Sequence, residues 1–205
     1  MASNSSKPYR MSFSAGGLCV PESVKLAQLR RMHGDWETVR EYANDQRVLG
    51  FRTQSSSRRT VRELIDRLQK LSITELDLLS EVNSKEQALL LWLAVCRTYP
   101  FIAQFAVEVL QEHFLSLRMA VSYDDFDQFY DAKAEWNEVL AQLSPSTRAK
   151  LRQVLFRMMR EADILSIDGT LHPIYLPPAI KNDIAKHDPK GLSYFPGPQA
   201  DHGVR

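Results

Sequence analysis

Apolar positions recur at three- and four-residue spacing along most of the chain, the period of helices that bury one face. Pro21, at a first-turn position, and the run Val24, Leu26, Ala27, Leu29 predict a short helix ending near Gly34. Asp35 is placed to cap a second helix in which Trp36, Val39, Tyr42 and Ala43 share a face. Thr53 to Ser57 reads as a Ser-rich loop. Thr60 and Glu63 then have capping-box spacing, ahead of Val61, Leu64, Ile65, Leu68 and Leu71. An amphipathic turn around Thr74 to Ser80 leads to a second box, Ser84 with Gln87, and a helix running to Tyr99. Pro100 breaks that helix and restarts one carrying Phe101, Ile102, Phe105, Val109 and Leu110. The two apolar helices read as a central hairpin buried on most sides.

In the second half, Ser122 and Asp125 form another capping box, with Phe126, Phe129, Tyr130 and Ala134 on the apolar face. A short segment, Asn137 to Leu143, precedes Ser144-Pro145, which starts a long helix with Leu151, Val154, Leu155, Met158 and Met159 on one side. Ile164 to Ile174 (ILSI-DG-TLHPI) holds two β-prone runs joined by Asp168-Gly169, the signature of a hairpin with a two-residue type I′ turn. Helices followed by a hairpin are the order of a winged helix-turn-helix. A further short helix is predicted from Pro178 to Lys186. The chain divides into a flexible N-terminal segment (1–20), a helical N-terminal domain (21–117), a helical C-terminal domain with a wing hairpin at 164–174 (118–187), and a Pro-rich tail (188–205).

Composition narrows the class. With 44% apolar and 25% charged residues among 205, the chain can bury an ordinary core. Ala88 to Cys96 (ALLLWLAVC) is nine apolar residues long, against the about 20 a membrane span needs, and it meets Arg97 and Pro100. A core helix in a cytoplasmic protein is the expectation, with no membrane contact. Met1 to Arg10 lacks the apolar core of a secretory signal. Two cysteines, Cys19 and Cys96, exclude a disulfide scaffold and a CxxC metal site.

Charge is balanced overall, 26 basic against 25 acidic residues, but not locally. Between Ser144 and Arg160 stand Arg148, Lys150, Arg152, Arg157 and Arg160 with no acidic residue. Lys150, Arg157 and Arg160 fall opposite the apolar stripe, and Arg148 and Arg152 flank it. Cations there can reach phosphates or base edges, and Ser146 and Thr147 in the first turn can add hydroxyls and free N–H groups. The acidic segment Tyr123 to Glu138 lies next in sequence and could instead neutralise this helix as ion pairs. A second basic segment, SSSRRTVRE, places Arg58, Arg59 and Arg62 at the N-terminal end of a predicted helix, against the helix dipole, which suggests a partner for them: an anion, or carboxylates of the fold itself such as Glu75, Asp77 or Glu81.

Catalytic signatures are missing: the sequence has no GxxxxGK[ST], no GxGxxG after a strand, no GxSxG, and no His, Cys or carboxylate set at metal spacing. No enzyme activity, cofactor or metal is expected.

Four strings are familiar together: MSFSAGGLCVPES (Met11 to Ser23), LLLWLAVCRTYPFI (Leu89 to Ile102), AKAEW (Ala132 to Trp136) and LSPSTRAKLRQVLFRMMREADIL (Leu143 to Leu165). They resemble the BrxA family of bacterial BREX (bacteriophage exclusion) defence systems, over roughly residues 11–197. The resemblance implies a mainly α, non-enzymatic cytoplasmic protein with a NusB-like helical bundle that binds double-stranded DNA beside other BREX components. It carries over no catalytic residue. The candidate DNA contacts are therefore those of the two basic segments: Arg58, Arg59, Arg62, Ser146, Thr147, Arg148, Lys150, Arg152, Arg157 and Arg160. Three alternatives stay open: a protein–protein adaptor motivated by Trp92, Phe101 and Phe105 and the balanced net charge, an RNA-binding protein because NusB-like folds are used that way, and an autoregulatory repressor suggested by the winged-helix order. No segment suggests dimerisation, so a monomer is expected.

Overall fold

The computed structural model describes residues 9–13, 16–45, 49 and 54–198. These are mainly helical, with no β-strand among them. Helix α1 (Val20–His33) carries Pro21 in its first turn and ends as the Gly34 N–H returns to the Arg30 carbonyl at 2.9 Å. Asp35 starts α2 (Trp36–Asp45) by accepting the Thr38 N–H at 2.8 Å. Helix α3 (Gln54–Leu68) begins before Thr60, so Gln54 to Ser57 are helical and Thr60 lies inside the helix rather than capping it. Thr53 lies outside the described residues. Ser72 and Glu75 form the capping box of α4 (Ile73–Glu81). The box that starts α5 (Ser84–Thr98) is Asn83 with Glu86, one residue earlier than the Ser84–Gln87 spacing suggested. Asn is an equally good cap, and its side chain collects the Lys85 and Glu86 N–H groups.

After Pro100 the chain turns by 112° into α6 (Pro100–Phe105), a π-helical stretch (Ala106–Gln111) and α7 (Glu112–Leu115). No single described helix is long and apolar enough to cross a membrane. Ser122 and Asp125 cap α8 (Tyr123–Ala134) as expected, Asn137 caps α9 (Glu138–Ala141), and Ser144 with Pro145 starts α10 (Pro145–Glu161). Helix α11 (Pro178–His187) and a 3₁₀ stretch (Pro189–Tyr194) close the described chain.

Helix α5 is the axis. Leu90 through Cys96 are all buried, with α1, α3, α4 and α6 packed around them. Phe101 and Phe105 meet Phe126, Phe129 and Tyr130 of α8 at ring-centroid distances of 5.1–6.1 Å, mostly edge to face, which joins the two halves. Trp92, Phe101 and Phe105 are thus wholly internal and offer no surface to a partner, so these aromatics do not support the adaptor reading. The C-terminal stretch belongs to the same core: Trp92 Nε1–H donates to the Tyr194 carbonyl at 2.9 Å, and Phe195 is fully buried.

The strands of the hairpin expected at 164–174 do not form, although Ser166 N–H to Thr170 O and His172 N–H to Ile164 O, both at 2.9 Å, cross between the two runs. Leu165 and Leu171 make one isolated antiparallel bridge, and Ala120 and Thr170 make another. Gly169, at φ 89°, is the only member of the Asp168-Gly169 pair at positive φ, whereas a type I′ turn needs it at both. Its N–H closes on the Ser166 carbonyl at 3.2 Å, and a Cβ there would stand 2.9 Å from the Val121 carbonyl oxygen. Residues 119–121 pair with the other edge of 169–171, Val121 N–H to Gly169 O (2.9 Å) and Leu171 N–H to Met119 O (2.7 Å). Pro173 then has no N–H to continue a ladder. The wing of a winged helix is therefore absent among the described residues.

The expectation of loose packing at the N-terminus also fails for residues 9–13 and 16–19. Phe13 and Leu18 are buried, and Tyr9 donates to Gln104 Oε1 at 2.5 Å. This strap is tied to the end of α10: the Leu18 N–H donates to Glu161 Oε2 at 2.5 Å, while Arg157 Nε–H donates to Glu161 Oε1 at 2.8 Å. Gly17 sits under that carboxylate, where a Cβ would lie 2.6 Å from Glu161 Oε1. Gly17→Ala must therefore push Glu161 off its bonds. It is expected to cost about 1–3 kcal/mol, the penalty for a broken, partly buried charged hydrogen bond. In a Glu161→Ala background the same substitution should cost little, and a thermal-unfolding double-mutant cycle checks the difference.

Candidate nucleic-acid interface

Helix α3 buries Val61, Leu64, Ile65 and Leu68. That orientation sends Arg59, Arg62, Glu63 and Asp66, spaced i, i+3, i+4 and i+7, to another face. Helix α10 buries Leu155, Met158 and Met159 and sends Ser146, Thr147, Lys150, Leu151 and Val154 to the facing side. The two stripes line one cleft of about 730 Å³, and the strap residues 10–13 complete its wall. The two basic segments, nearly ninety residues apart in sequence, thus contribute to a single site.

The acidic groups of the cleft are already engaged. Asp66 Oδ2 accepts Arg10 Nη2–H at 2.6 Å, and Arg10 also approaches the Tyr99 ring at 5.5 Å. Glu63 is buried; it accepts Arg67 Nη2–H at 2.6 Å and the Tyr99 hydroxyl at 3.0 Å. Burial pushes the Tyr99 phenol up to about 12, against the nearby Arg67 charge, so at neutral pH it keeps the proton it donates. Arg62 and Lys150 have no ion pair among the described residues and are exposed. At the start of α10, Ser144 Oγ binds the Ser146 and Thr147 hydroxyls at 3.0 and 2.9 Å and the Thr147 N–H at 3.2 Å. The rim is cationic and hydroxyl-rich, and the floor is apolar, from Met11, Phe13, Leu151 and Val154. Such a surface can hold an anion by charge-assisted hydrogen bonds.

The remaining predicted positions lie elsewhere. Arg58 is exposed on α3 and does not line the cleft. Arg148 donates from Nε to Asp127 Oδ1 at 2.9 Å and forks onto Asp131 at 2.5 and 3.0 Å, with its guanidinium 4.4 Å from the Tyr130 ring centre. Arg152 pairs with the other oxygen of Asp127 and lies 4.5 Å from the Tyr123 ring centre. For these two arginines the neutralisation by α8 that the sequence left open is what the fold contains. Arg157 pairs with Glu161, and Arg160 covers the Phe156 ring at 5.9 Å. Arg10 and Ser12 were not singled out from sequence. The basic residue just ahead of the MSFSAGGLC string was the available signal.

Among the described residues no three or more His, Cys, Asp or Glu side chains are grouped to hold a metal ion. Cys19 is half-buried at φ 54° ahead of α1, and burial pushes its thiol up to about 11, with Arg67 opposing. Its thiolate is therefore scarce near neutrality. Alkylation of Cys19 by iodoacetamide is expected to be slow at pH 7 and to accelerate as pH approaches 11; mass spectrometry of labelled peptides measures it.

Comparison with known proteins agrees with the resemblance and extends it towards the N-terminus. The sequence matches the family described as BrxA over residues 7–188, a span that includes Arg10. It is 24% identical over 165 residues to the protein named BREX protein BrxA from Escherichia coli O9:H4 (strain HS), covering 80% of this chain and 78% of the relative. The fold is similar to that of an uncharacterized protein from Magnetospirillum magneticum whose crystal structure is known. That similarity has a TM-score of 0.79 at 16% identity over 92% of this chain and 98% of the other. The matched span takes in the strap, α3 and α10 together, and the chain belongs to the BrxA family.

Proposed function

We propose that this protein is a non-enzymatic, double-stranded-DNA-binding accessory component of a BREX phage-defence system. It acts in the cytoplasm beside other BREX components and holds the phosphate backbone at the rim of the α3–α10 cleft with little sequence preference. The observation that carries the reading is the convergence of Arg59, Arg62 and Lys150 with the Ser146 and Thr147 hydroxyls on one cleft whose own carboxylates are already engaged. Arg62 and Lys150, exposed and without an ion pair among the described residues, are available to replace the counterions of a polyanion, so affinity should fall steeply with salt. The relative named BREX protein BrxA supports the defence context. Fluorescence anisotropy of a labelled duplex, titrated at rising salt, tests the reading. A salt-dependent complex is expected, and no complex at low salt overturns it. Structured RNA of equal length, used as competitor, should displace the duplex poorly.

A further inference from the structure

The same cleft is less uniformly polar than a backbone grip requires. Phosphate contacts call for exposed cations, hydroxyls and N–H groups, not for an apolar surface between them. Here the cations surround a concavity of about 730 Å³, within the range of sites that enclose small organic ligands. Its floor is apolar, made by Met11 and Phe13 of the strap and Leu151 and Val154 of α10. A bare phosphate would leave most of that space empty, and a purely apolar ligand would strand the cationic rim.

We infer that the cleft is a binding site for a nucleoside monophosphate. The phosphate group is matched by Lys150, Arg62 and the Ser146 and Thr147 hydroxyls. Pro145 has no N–H and the Thr147 N–H is used by the Ser144 cap, whereas the Ser146 amide, in the first turn, can join them. The flat apolar face of a base is matched by the Met11, Leu151 and Val154 surface, and Arg59 adds a planar guanidinium on which a base can stack. Asp66 gives Oδ2 to Arg10 and has a second oxygen to accept from a sugar hydroxyl or base amine. Two sources carry this chemistry, a free nucleotide and the 5′-phosphorylated end of a DNA strand. The inference uses the cleft of the proposed function but does not require duplex binding.

Isothermal titration with dAMP, with inorganic phosphate and with deoxyadenosine tests it on the full chain. The expected result is one dAMP per chain, bound at least about tenfold tighter than either fragment because both halves of the cleft are used. Lys150→Glu and Arg62→Gln, both at exposed positions, should each weaken dAMP by about tenfold or more without moving the melting temperature. Arg160→Gln, outside the cleft, should leave it unchanged. Binding of dAMP no tighter than inorganic phosphate, or insensitive to both cleft variants, overturns the inference. Duplexes with 5′-phosphate ends, with 5′-hydroxyl ends, and closed at both ends by loops distinguish the sources. Displacement of the 5′-phosphorylated duplex only at higher dAMP concentrations than the other two duplexes need assigns the site to strand ends, and equal displacement of all three assigns it to free nucleotide; tight dAMP binding that displaces no duplex leaves the inference standing and moves the duplex grip off the cleft. A closed duplex that fails to bind at low salt sinks the duplex reading while leaving the dAMP result standing.

Discussion

Replacing Arg97 with leucine is expected to lower the free energy of unfolding by about 3–5 kcal/mol, the usual cost of leaving one charge of a buried pair alone. Arg97 projects from the last turn of α5 and fastens three separate pieces of chain. Its two terminal nitrogens donate to the Glu75 carboxylate at 2.5 and 3.0 Å, Nη1 also reaches the Lys70 carbonyl at 3.1 Å, and Nε–H donates to Asp188 at 2.9 Å. Glu75 is completely buried and serves at the same time as the N3 carboxylate of the α4 capping box, accepting the Ser72 N–H at 2.7 Å. Without Arg97 that carboxylate keeps a single backbone donor in a low-dielectric setting. For a chain of this size the loss corresponds to a fall in melting temperature of roughly 6–20 °C. The double variant Arg97→Leu/Glu75→Leu should recover much of it, because the penalty lies in the orphaned charge rather than in the missing pair. A fall below about 1 kcal/mol in the single variant would show that water reaches Glu75 and that the clamp is not internal.

The second large effect separates two sets of cations that look alike in sequence. Reversing Arg62 and Lys150 to glutamate is expected to weaken duplex binding by about 100-fold at low salt while leaving stability nearly unchanged, since neither side chain is ion-paired within the described fold. Neutralising Arg148 and Arg152 to glutamine should do the reverse. It unpairs Asp127 and Asp131 on α8 and strips the Tyr130 and Tyr123 rings of their guanidiniums, at an expected cost of about 2–4 kcal/mol. Duplex affinity of the folded protein should then change by less than about threefold. Chemical denaturation alongside anisotropy for each pair reads both quantities. Loss of affinity in the Arg148/Arg152 pair, with the cleft pair unaffected, would move the interface to the α8–α10 side.

What the sequence made legible was local. Ser122 with Asp125, Ser144 with Pro145, and Pro100 after the apolar run are signals contained within four residues. Each sits where expected because capping and the geometry of proline act over that range. The burial of Leu89 through Cys96 followed from an unbroken apolar run. The Asp168-Gly169 signal is just as local but was outweighed. Two bonds cross between the runs, Ser166 N–H to Thr170 O and His172 N–H to Ile164 O, but the return bonds are diverted: the Ser166 hydroxyl and Asp168 carboxylate accept the Thr170 N–H, and the Ile164 N–H turns back to the Met159 carbonyl. The start of α3 was placed late because Ser-rich segments favour turns as readily as helix ends. The strap carries no periodic signal: Phe13 stands between two serines, and Leu18-Cys19-Val20 is an apolar run of only three residues before Pro21. As for the candidate site, the two basic segments were visible, but nothing in either says that Arg62 and Lys150 face one cleft whereas Arg148 turns to Asp127. That sorting depends on which face of α3 and of α10 is apolar and on how the two helices lie against each other in the fold.

The most direct test of the account is the salt dependence of binding to a duplex closed at both ends, measured for the unaltered protein and for Arg62→Glu/Lys150→Glu. A phosphate grip at the cleft predicts a steep linear fall of log affinity with log salt, and a slope shallower by about two in the double variant, close to one for each lost phosphate contact. Equal slopes for the two proteins, or no complex with the closed duplex even at low salt, would contradict it.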